Sequence, residues 1–276
     1  MSTSPVPSPS RTGGFIRILA IGDVYGKPGL QAVTGLLPGL LRELNTDFCI
    51  VNGENVDHGK GITAASLSKL IDAGADVITG GNHSLYRDRA HHIFDENPRI
   101  LRPYNFPEGS PGRGAGIFDG GAGRKIAVVN LMGRALMPLG DDPFRVGQAL
   151  VEELAGETSF IIIDFHAEAT AEKLAFARYL DGMVTAIFGT HTHVQTADAQ
   201  ILPKGTGYIT DLGMTGSHAG VIGMKTESAL RRFLYPVGGG KADCAEGDAQ
   251  LHGVLIEADS STGRALGMKT VKRSLE

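Results

Sequence analysis

The sequence predicts an α/β protein in which two mixed sheets, flanked by helices, form an α/β/β/α sandwich. Over the first two thirds of the 276 residues, short apolar runs typical of buried strands alternate with helical segments. The last third has further strand-like runs with less helix between them, which predicts a more antiparallel second half. No segment has the composition of a linker, so we expect residues 15–276 to form one domain. Residues 1–14, rich in Ser, Pro and Gly, are predicted to be disordered.

Strands are predicted where short apolar runs are bounded by polar or glycine-containing segments. In chain order these runs lie at residues 15–21, 48–51, 76–79, 126–131, 160–165, 184–188, 208–210, 253–258 and 265–271. Helices are predicted at residues 29–44, 64–73, 145–154, 169–180 and 227–233. Pro38 and Gly39 are expected to interrupt the first helix, because proline removes a helical hydrogen bond. The glycine-rich segment 112–123 is expected to be a flexible hairpin or loop.

The composition is that of an ordinary globular enzyme, with 42% hydrophobic and 20% charged residues. A formal net charge of -4 gives no broad basic field, so long nucleic acid is not the expected ligand, whereas a mononucleotide needs only a local site. The two cysteines, Cys49 and Cys244, do not indicate a disulfide framework, which fits a reducing cytoplasm. No apolar run is long enough to span a membrane, and no signal peptide is recognisable.

Polar side chains of the kinds that bind metals follow five predicted strand ends. The five blocks are Gly22-Asp23, Gly53-Glu54-Asn55, Gly80-Gly81-Asn82-His83, Asp164-Phe165-His166 and His191-Thr192-His193. Binding sites of open α/β sheets lie beyond the carboxyl ends of strands, so we expect all five blocks to line one site. Any one block could be merely structural, since Asp23 could form a turn and His166 could lie in the core. Five coincidences at successive strand ends are a weaker explanation than one shared site.

His191 and His193 are the strongest single indication of a metal site. Residues i and i+2 of an extended segment point to the same side, so both imidazoles could reach one spot at the end of a strand. Nitrogen and oxygen ligands without cysteine favour Fe, Mn, Zn or Co. Because the ligands outnumber those of one ion, we expect two metals about 3.5–4 Å apart, bridged by Glu54. Such a pair generates hydroxide from bridging water and holds the oxygens of a phosphoryl group during in-line displacement.

These blocks resemble those of the calcineurin-like metallophosphoesterases, which share Gly-Asp, Gly-Asn-His and Gly-His-Thr-His blocks in this order. The matching blocks are Gly22-Asp23, Gly81-Asn82-His83 and Gly189-Thr-His-Thr-His193. Tyr25 stands where the usual first block has a histidine, and Gly53-Glu54-Asn55 replaces the usual Gly-Asp second block. With Asp164-Phe-His-Ala-Glu168 and Asp211-Leu-Gly-Met-Thr-Gly216, these departures are similar to the YmdB-like branch, bacterial phosphodiesterases linked to cyclic nucleotides. The resemblance covers residues 17–272.

The resemblance implies a role for each block residue. Metal 1 is held by Asp23, Glu54, Asn55 and His193, and metal 2 by Glu54, Asn82, His166 and His191. Asn55 fills the place of the missing histidine, and His83 is the general acid that protonates the leaving oxygen. Fe is the foremost candidate for both ions, with Mn or Zn as alternatives. The implied substrates are 2′,3′-cyclic nucleotides, with weaker activity on 3′,5′-cyclic nucleotides, through attack by the metal-bridging hydroxide.

Two other interpretations stay open from the sequence. The same site could serve a phosphomonoesterase or a nuclease, or the protein could be a regulator that binds a nucleotide or RNA with weak turnover. The resemblance also leaves a homo-oligomer open, although the sequence indicates no interface. His58 and His218 are further candidates, the first for the mouth of the site and the second for a substrate contact.

Overall fold

Two β-sheets pack face to face in the computed structural model, which describes residues 14–86, 90–235 and 243–276. The strands are, in chain order, β1 (Phe15–Ile21), β2 (Asp23–Val24), β3 (Phe48–Asn52), β4 (Val77–Thr79), β5 (Ile100–Leu101), β6 (Ala115–Asp119), β7 (Lys125–Met132), β8 (Phe160–His166), β9 (Ala186–Thr190), β10 (Gln200–Ile201), β11 (Gly207–Ile209), β12 (Met214–Ser217), β13 (Ala249–Asp259) and β14 (Ala265–Ser274). The helices are α1 (Gly26–Leu44), α2 (Ala64–Asp72), α3 (Ala90–Glu96), α4 (Pro143–Leu154), α5 (Thr170–Tyr179) and α6 (Thr226–Leu234). Disorder was predicted for residues 1–14, and all of these except Gly14 lie outside the described residues.

Each sheet contains four adjacent parallel strands. The first sheet has the order β2-β12-β13-β1-β3-β4-β5, with β14 paired to β13, and β1, β3, β4 and β5 run parallel. The second has the order β10-β11-β9-β8-β7-β6, and β7, β8, β9 and β11 run parallel. Antiparallel strands complete both sheets: β13 and β14 in the first, β6 and β10 at the edges of the second. Within each sheet the parallel strands therefore end along one edge.

Three apolar clusters give the molecule its layers. In the first, side chains such as Leu37 pack α1 and α2 against the outer face of the first sheet. The second cluster lies between the sheets, where Ile50 and Ile162 are buried together. In the third, Phe176 of α5 stacks on Phe165 of the second sheet with 4.2 Å between ring centroids. Helices outside and sheets inside confirm the predicted α/β/β/α sandwich.

Helix α1 continues through Pro38, so the interruption predicted at Pro38 and Gly39 is wrong. The buried face of the helix, which includes Val33 and Leu37, packs into the first apolar cluster. Burial of apolar area contributes about 25 cal/mol per Å², which offsets the one hydrogen bond that proline cannot donate. Among the described residues, no helix combines the length and the apolar character that a membrane span needs.

The sequence missed the shortest elements. Strands β2, β5 and β10 have two residues each, too few to show an alternating pattern. Strand β6 lies in the glycine-rich segment 112–123 and pairs antiparallel with β7, so this segment contains one arm of a hairpin, which was one of the two structures expected there.

His252, in β13, forms a ring pair with His218, which follows β12. Their ring centroids are 4.4 Å apart, and His218 Nε2 lies 3.2 Å from the carbonyl oxygen of Met214. Burial lowers the pKa of His252 to about 4, with His218 and Lys272 adding to the effect and Asp248 opposing it. His252 is therefore neutral in the folded protein at neutral pH.

His252 makes the fold sensitive to acid. The unfolded chain binds a proton at this position near pH 6.5 and the folded chain only near pH 4, so the stability it contributes is present above pH 6.5 and is lost as the pH falls towards 4. We expect His252→Gln to remove about 1–3 kcal/mol of the decrease in unfolding free energy between these two pH values. Urea denaturation at each pH measures the effect, and His92→Gln, at an exposed position, is the control. The same pH dependence in wild type and His252→Gln would contradict it.

Candidate metal centre

The five polar blocks meet at one edge of the sandwich. They follow or end β1, β3, β4, β8 and β9, whose carboxyl ends lie together where the two sheets face each other. The residues that the structure brings into mutual contact are Asp23, Glu54, Asn55, Asn82, His83, His166, His191 and His193. Blocks far apart in sequence thus become neighbours because parallel strands of both sheets end at the same place.

His191 and His193 reach the site through an irregular turn. Strand β9 ends at Thr190, and φ is 102° at His191 and 67° at His193. The predicted extended segment, with both imidazoles on one side of a strand, is therefore wrong. A positive φ at a residue other than glycine costs of order 1–3 kcal/mol, so contacts with neighbouring elements must hold this turn.

One group of ligand atoms surrounds His166 Nε2. This nitrogen lies 3.0 Å from Asn82 Oδ1, 3.0 Å from His191 Nδ1 and 3.4 Å from Glu54 Oε2. Ligand atoms of Glu54, His166 and His191 all lie within 4.8 Å of one another. Two ligands of one ion with bonds of about 2.0–2.2 Å lie about 3–4 Å apart, so these atoms suit a shared cation. They belong to the four residues expected at metal 2.

A second group surrounds the buried carboxylate of Asp23. Its Oδ2 accepts a hydrogen bond from His191 N at 3.1 Å, whereas Oδ1 has no hydrogen-bond partner among the described residues. His193 Nε2 lies 3.8 Å from this Oδ1 and 3.3 Å from Asn55 Nδ2. A buried carboxylate oxygen without a partner is costly, and a cation would satisfy it. Together with Glu54, these are the residues expected at metal 1.

Asn55 differs from its neighbours because its amide nitrogen, and not its oxygen, faces the other ligand atoms. Nδ2 donates to Glu54 Oε1 at 2.7 Å, and Oδ1 lies 2.9 Å from His83 Nδ1. A half-turn of the amide exchanges these two atoms without moving the rest of the side chain. Asn55 would therefore offer its oxygen to a metal only after this exchange.

Two of the imidazoles are oriented by acceptors at their outer nitrogens. His191 Nε2 lies 3.2 Å from Glu168 Oε2, and His193 Nδ1 lies 3.0 Å from the carbonyl oxygen of Ile222. A ring nitrogen that donates outwards leaves the other nitrogen unprotonated and directed into the site. This is the arrangement found at metal-ligating histidines.

The third imidazole is oriented by a buried hydroxyl that is itself held by a carboxylate. Thr190 Oγ1 donates to Asp164 Oδ1 at 2.6 Å and lies 2.9 Å from His166 Nδ1. Asp164 also accepts hydrogen bonds from Asn52 Nδ2 at 2.9 Å and Thr79 Oγ1 at 2.5 Å. Burial raises the pKa of Asp164 to about 6, although these bonds oppose the shift. Because the Thr190 proton goes to Asp164, Thr190 accepts from His166 Nδ1, and Nε2 is left for the ligand group.

Negative charge is concentrated at this site. Burial raises the pKa of Asp23 and would raise that of Glu54, but His166 and His83 hold the pKa of Glu54 well below its usual value. Burial would lower the pKa of His166, yet Glu54 and Asp23 raise it to about 9. The pKa of His191 falls to about 3 through burial and the charge of His166. A proton on His166 thus supplies positive charge that a metal would otherwise bring, which agrees with a site suited to cations.

Gly81 leaves the space that this arrangement needs. A Cβ atom at this position would collide with Glu54 Oε2 and with His166 Nε2. Any other residue would displace these ligand atoms, because the collision is with the atoms that face the site.

His83 lies at the edge of the ligand group with a half-buried ring. Its backbone N–H donates to Glu54 Oε2 at 3.0 Å, and its Nδ1 lies 2.9 Å from Asn55 Oδ1 and 3.3 Å from Glu54 Oε1. Because Nδ1 is engaged with these oxygens, Nε2 is the ring nitrogen available to a bound ligand.

A cleft of about 780 Å³ opens over the ligand group, with His83 in its wall. Tyr86, Lys60 and Arg232 also line it. The side chain of Tyr86 is 60% exposed; its ring centroid lies 6.1 Å from that of His83 and 5.1 Å from Lys60 Nζ. The cleft therefore offers cationic groups and an exposed aromatic ring beside His83, features that suit an anionic ligand with a flat ring system.

Of the two further histidine candidates from the sequence, one lines the cleft. His58 lines the cleft, whereas His218 is absent from its described lining and packs against His252. Tyr25, which stands where the usual first block has a histidine, also lines the cleft, and its ring meets that of His193 edge-on at 5.5 Å. Burial raises the pKa of Tyr25 to about 12, so it stays a neutral phenol.

The residues that orient the ligands were not identified from the sequence. Asp164 and Glu168 belong to a recognised block, but their positions gave no indication that one holds Thr190 and the other His191. Thr190 offered no signal of its own, since a hydroxyl residue beside a histidine is common. The contact of Ile222 is made by its backbone carbonyl, which no side-chain pattern can indicate.

Sequence comparison relates this chain to known proteins. Residues 19–271 match the sequence model of the YmdB-like protein family. The chain is 47% identical over 258 residues to the 2′,3′-cyclic-nucleotide 2′-phosphodiesterase of Bacillus subtilis (strain 168), and the match covers 93% of this chain and 96% of that protein.

Two solved structures share the fold. A hypothetical protein from Thermus thermophilus superimposes with a TM-score of 0.88 at 39% identity, over 95% of this chain and 100% of that one. A novel phosphatase from Mycoplasma pneumoniae gives a TM-score of 0.88 at 35% identity, over 94% of each chain. Since the family match spans nearly the whole chain and the relatives agree with it in sequence and structure, this chain belongs to the YmdB-like protein family.

Proposed function

We propose that this protein is a dinuclear-metal phosphodiesterase that hydrolyses cyclic nucleotides, with 2′,3′-cyclic nucleotides preferred to 3′,5′-cyclic ones. Its class, a phosphoric diester hydrolase, rests on family membership and on similarity over nearly the whole chain to a phosphodiesterase. The observation that carries the proposal is the group of carboxylate, amide and imidazole ligand atoms that converge at the strand ends beneath the cleft.

Two cations would be held by residues that share Glu54. Metal 1 would take Asp23, Glu54, Asn55 and His193, and metal 2 would take Glu54, Asn82, His166 and His191. Glu54 suits both positions, since its Oε1 lies 2.7 Å from Asn55 Nδ2 and its Oε2 lies 3.4 Å from His166 Nε2. When bound, two such ions activate water as a nucleophile and neutralise the charge of the phosphodiester. Fe is the first candidate and Mn or Zn are alternatives, because the ligands are nitrogen and oxygen without sulfur.

His83 acts as the general acid in this proposal. Its Nδ1 lies 3.3 Å from Glu54 Oε1, a contact that the exchange of the Asn55 amide does not affect, so Nε2 is the ring nitrogen available to the substrate. When the bond between phosphorus and the leaving ribose oxygen breaks, Nε2 gives its proton to that oxygen, and a nucleoside monophosphate results.

The cleft supports a nucleotide as the substrate. Tyr86 is exposed beside His83, so a base can stack on it while the phosphodiester lies against the ligand group. Lys60 and Arg232 add positive charge to the same cleft, which favours an anion.

Asp23 tests the metal site. We expect Asp23→Asn to lose about one of two metal equivalents, mainly metal 1, because a neutral amide replaces the buried carboxylate whose Oδ1 has no protein partner among the described residues. Metal analysis of the dialysed protein gives the number of equivalents per chain. Asp72→Asn, at an exposed position, is the control. Full metal content in Asp23→Asn would contradict the assignment of Asp23 as a ligand of metal 1.

His83 tests the proton transfer. We expect His83→Ala to keep both metals and to lower kcat for a cyclic nucleotide by about 10²–10⁴-fold, since general acid catalysis contributes on that order. Steady-state kinetics and metal analysis of the same preparation measure the two quantities. His92→Ala, at an exposed position, should behave as wild type. Undiminished kcat in His83→Ala would exclude this role.

Substrate preference tests the function itself. We expect wild type to hydrolyse 2′,3′-cyclic nucleotides faster than 3′,5′-cyclic nucleotides, nucleoside monophosphates or oligonucleotides. Tyr86→Ala should raise KM for 2′,3′-cyclic AMP by roughly 5–100-fold through loss of stacking, whereas Tyr86→Phe should not. Ribose 2′,3′-cyclic phosphate, which has no base, should give the same KM with all three proteins.

The same panel separates the alternatives. A preference for monophosphates would instead indicate a phosphomonoesterase, and a preference for oligonucleotides a nuclease. Tight binding of a nucleotide or RNA that survives removal of both metals would indicate a regulatory protein with weak turnover. The stacking role would be contradicted if Tyr86→Ala raised KM for ribose 2′,3′-cyclic phosphate as much as it raised KM for 2′,3′-cyclic AMP.

A further inference from the structure

A buried ion pair lies directly behind the turn that carries His191 and His193. Lys173, in α5, is 1% exposed and Asp211 is 0% exposed. Lys173 Nζ lies 2.7 Å from Asp211 Oδ2. Neither residue belongs to the described lining of the cleft, so their role is not a contact with substrate.

Both residues hold the backbone of the turn, one on each side of His191. Lys173 Nζ donates to the carbonyl oxygen of Thr190 at 2.8 Å. Asp211 Oδ2 accepts from Thr192 N at 3.1 Å and from Thr192 Oγ1 at 2.8 Å, while its Oδ1 accepts from Gly213 N at 2.8 Å. The turn is thus fixed at the residue before His191 and at the residue between the two histidines.

The backbone at this point is of a kind that needs such support. His191 and His193 both have positive φ, a backbone conformation that is costly for residues with side chains and that neighbouring contacts must stabilise. Glu168 and Ile222 orient the two rings, whereas Lys173 and Asp211 contact the chain that carries the rings. Orientation of each ring and placement of its backbone are therefore separate tasks of separate residues.

The chemistry of the pair suits this task. The Asp211 carboxylate receives two backbone N–H groups and a hydroxyl besides the lysine, and the lysine also donates to a backbone carbonyl. An apolar pair of similar volume would leave these buried groups without partners, and each would then cost its full desolvation. Asp211 also opens the block Asp211-Leu-Gly-Met-Thr-Gly216, to which the resemblance assigned no role.

We propose that Lys173 and Asp211 are positioning residues that hold the 190–193 turn so that His191 and His193 reach their metals together. This inference rests on the proposed function, in which His191 binds metal 2 and His193 binds metal 1. Loss of the pair frees the turn to relax towards ordinary backbone angles, which moves both imidazoles away from the ligand group.

Lys173→Met tests the pair, since methionine keeps much of the length of the side chain and removes the ammonium group. We expect the affinity of the metal-free full-length protein for Mn²⁺ to fall by about 10–100-fold, as for other residues that support metal ligands. Competition with a chelator, far below the unfolding temperature, measures this. Amide hydrogen exchange at Thr192 in the metal-free protein should also accelerate, while exchange in β1 stays unchanged. Lys69→Met, at an exposed position of α2, is the control.

A second variant separates positioning from folding. Lys173→Met leaves a buried unpaired carboxylate, so Lys173→Met/Asp211→Asn, which carries no buried charge at the pair, is measured beside it. Circular dichroism shows which of the two variants is folded, and we expect reduced Mn²⁺ affinity in each folded variant. Wild-type Mn²⁺ affinity and wild-type exchange at Thr192 in a folded variant would overturn the inference. A wild-type protein that binds no metal would overturn the proposed function instead.

Discussion

Negative charge is buried at the junction of the two sheets, and most contacts around the candidate metal centre compensate it. Four acidic residues are almost fully buried there: Asp23, Glu54, Asp164 and Asp211. A buried carboxylate persists only when it is paired or receives several hydrogen bonds. Lys173 neutralises Asp211, hydroxyl and amide donors satisfy Asp164, and the imidazoles of His166 and His83 face Glu54. Asp23 Oδ1 remains without a protein donor among the described residues, and in the proposed function a cation completes it.

The fold provides the rigid frame that such a site requires. Parallel strands end at a common edge in each sheet, and the apolar cluster between the sheets sets how closely those edges approach. The turn after β9 is strained, because His191 and His193 both have positive φ. A strained segment can be kept in place only by neighbours that are themselves fixed, and Lys173 lies on a helix that packs against the second sheet.

The elements that the sequence predicted best are those whose pattern is local. Strand β1 was predicted with the bounds found in the structure, since its apolar run is interrupted only by Arg17 and ends at a glycine. Strands β2, β5 and β10 escaped notice because two residues carry no periodicity, and their pairing depends on partners distant in sequence. Pro38 was misleading for a related reason. Proline does remove a helical hydrogen bond, but packing of α1 against the first sheet outweighs this loss.

The residue types of the candidate ligands, their order along the chain and their placement at strand ends could be predicted from the sequence, because each block follows its own apolar run. Tertiary structure decided how the ligands are presented: which nitrogen of His166 faces inwards, which atom of Asn55 does, and that a turn and not a strand carries His191. The contact between Lys173 and Asp211 is likewise a product of tertiary structure, since the two residues lie 38 residues apart and meet only when α5 packs beside β9. Hydrogen-bond direction and backbone strain arise from contacts between separate elements, and the order of residues along one chain does not contain them.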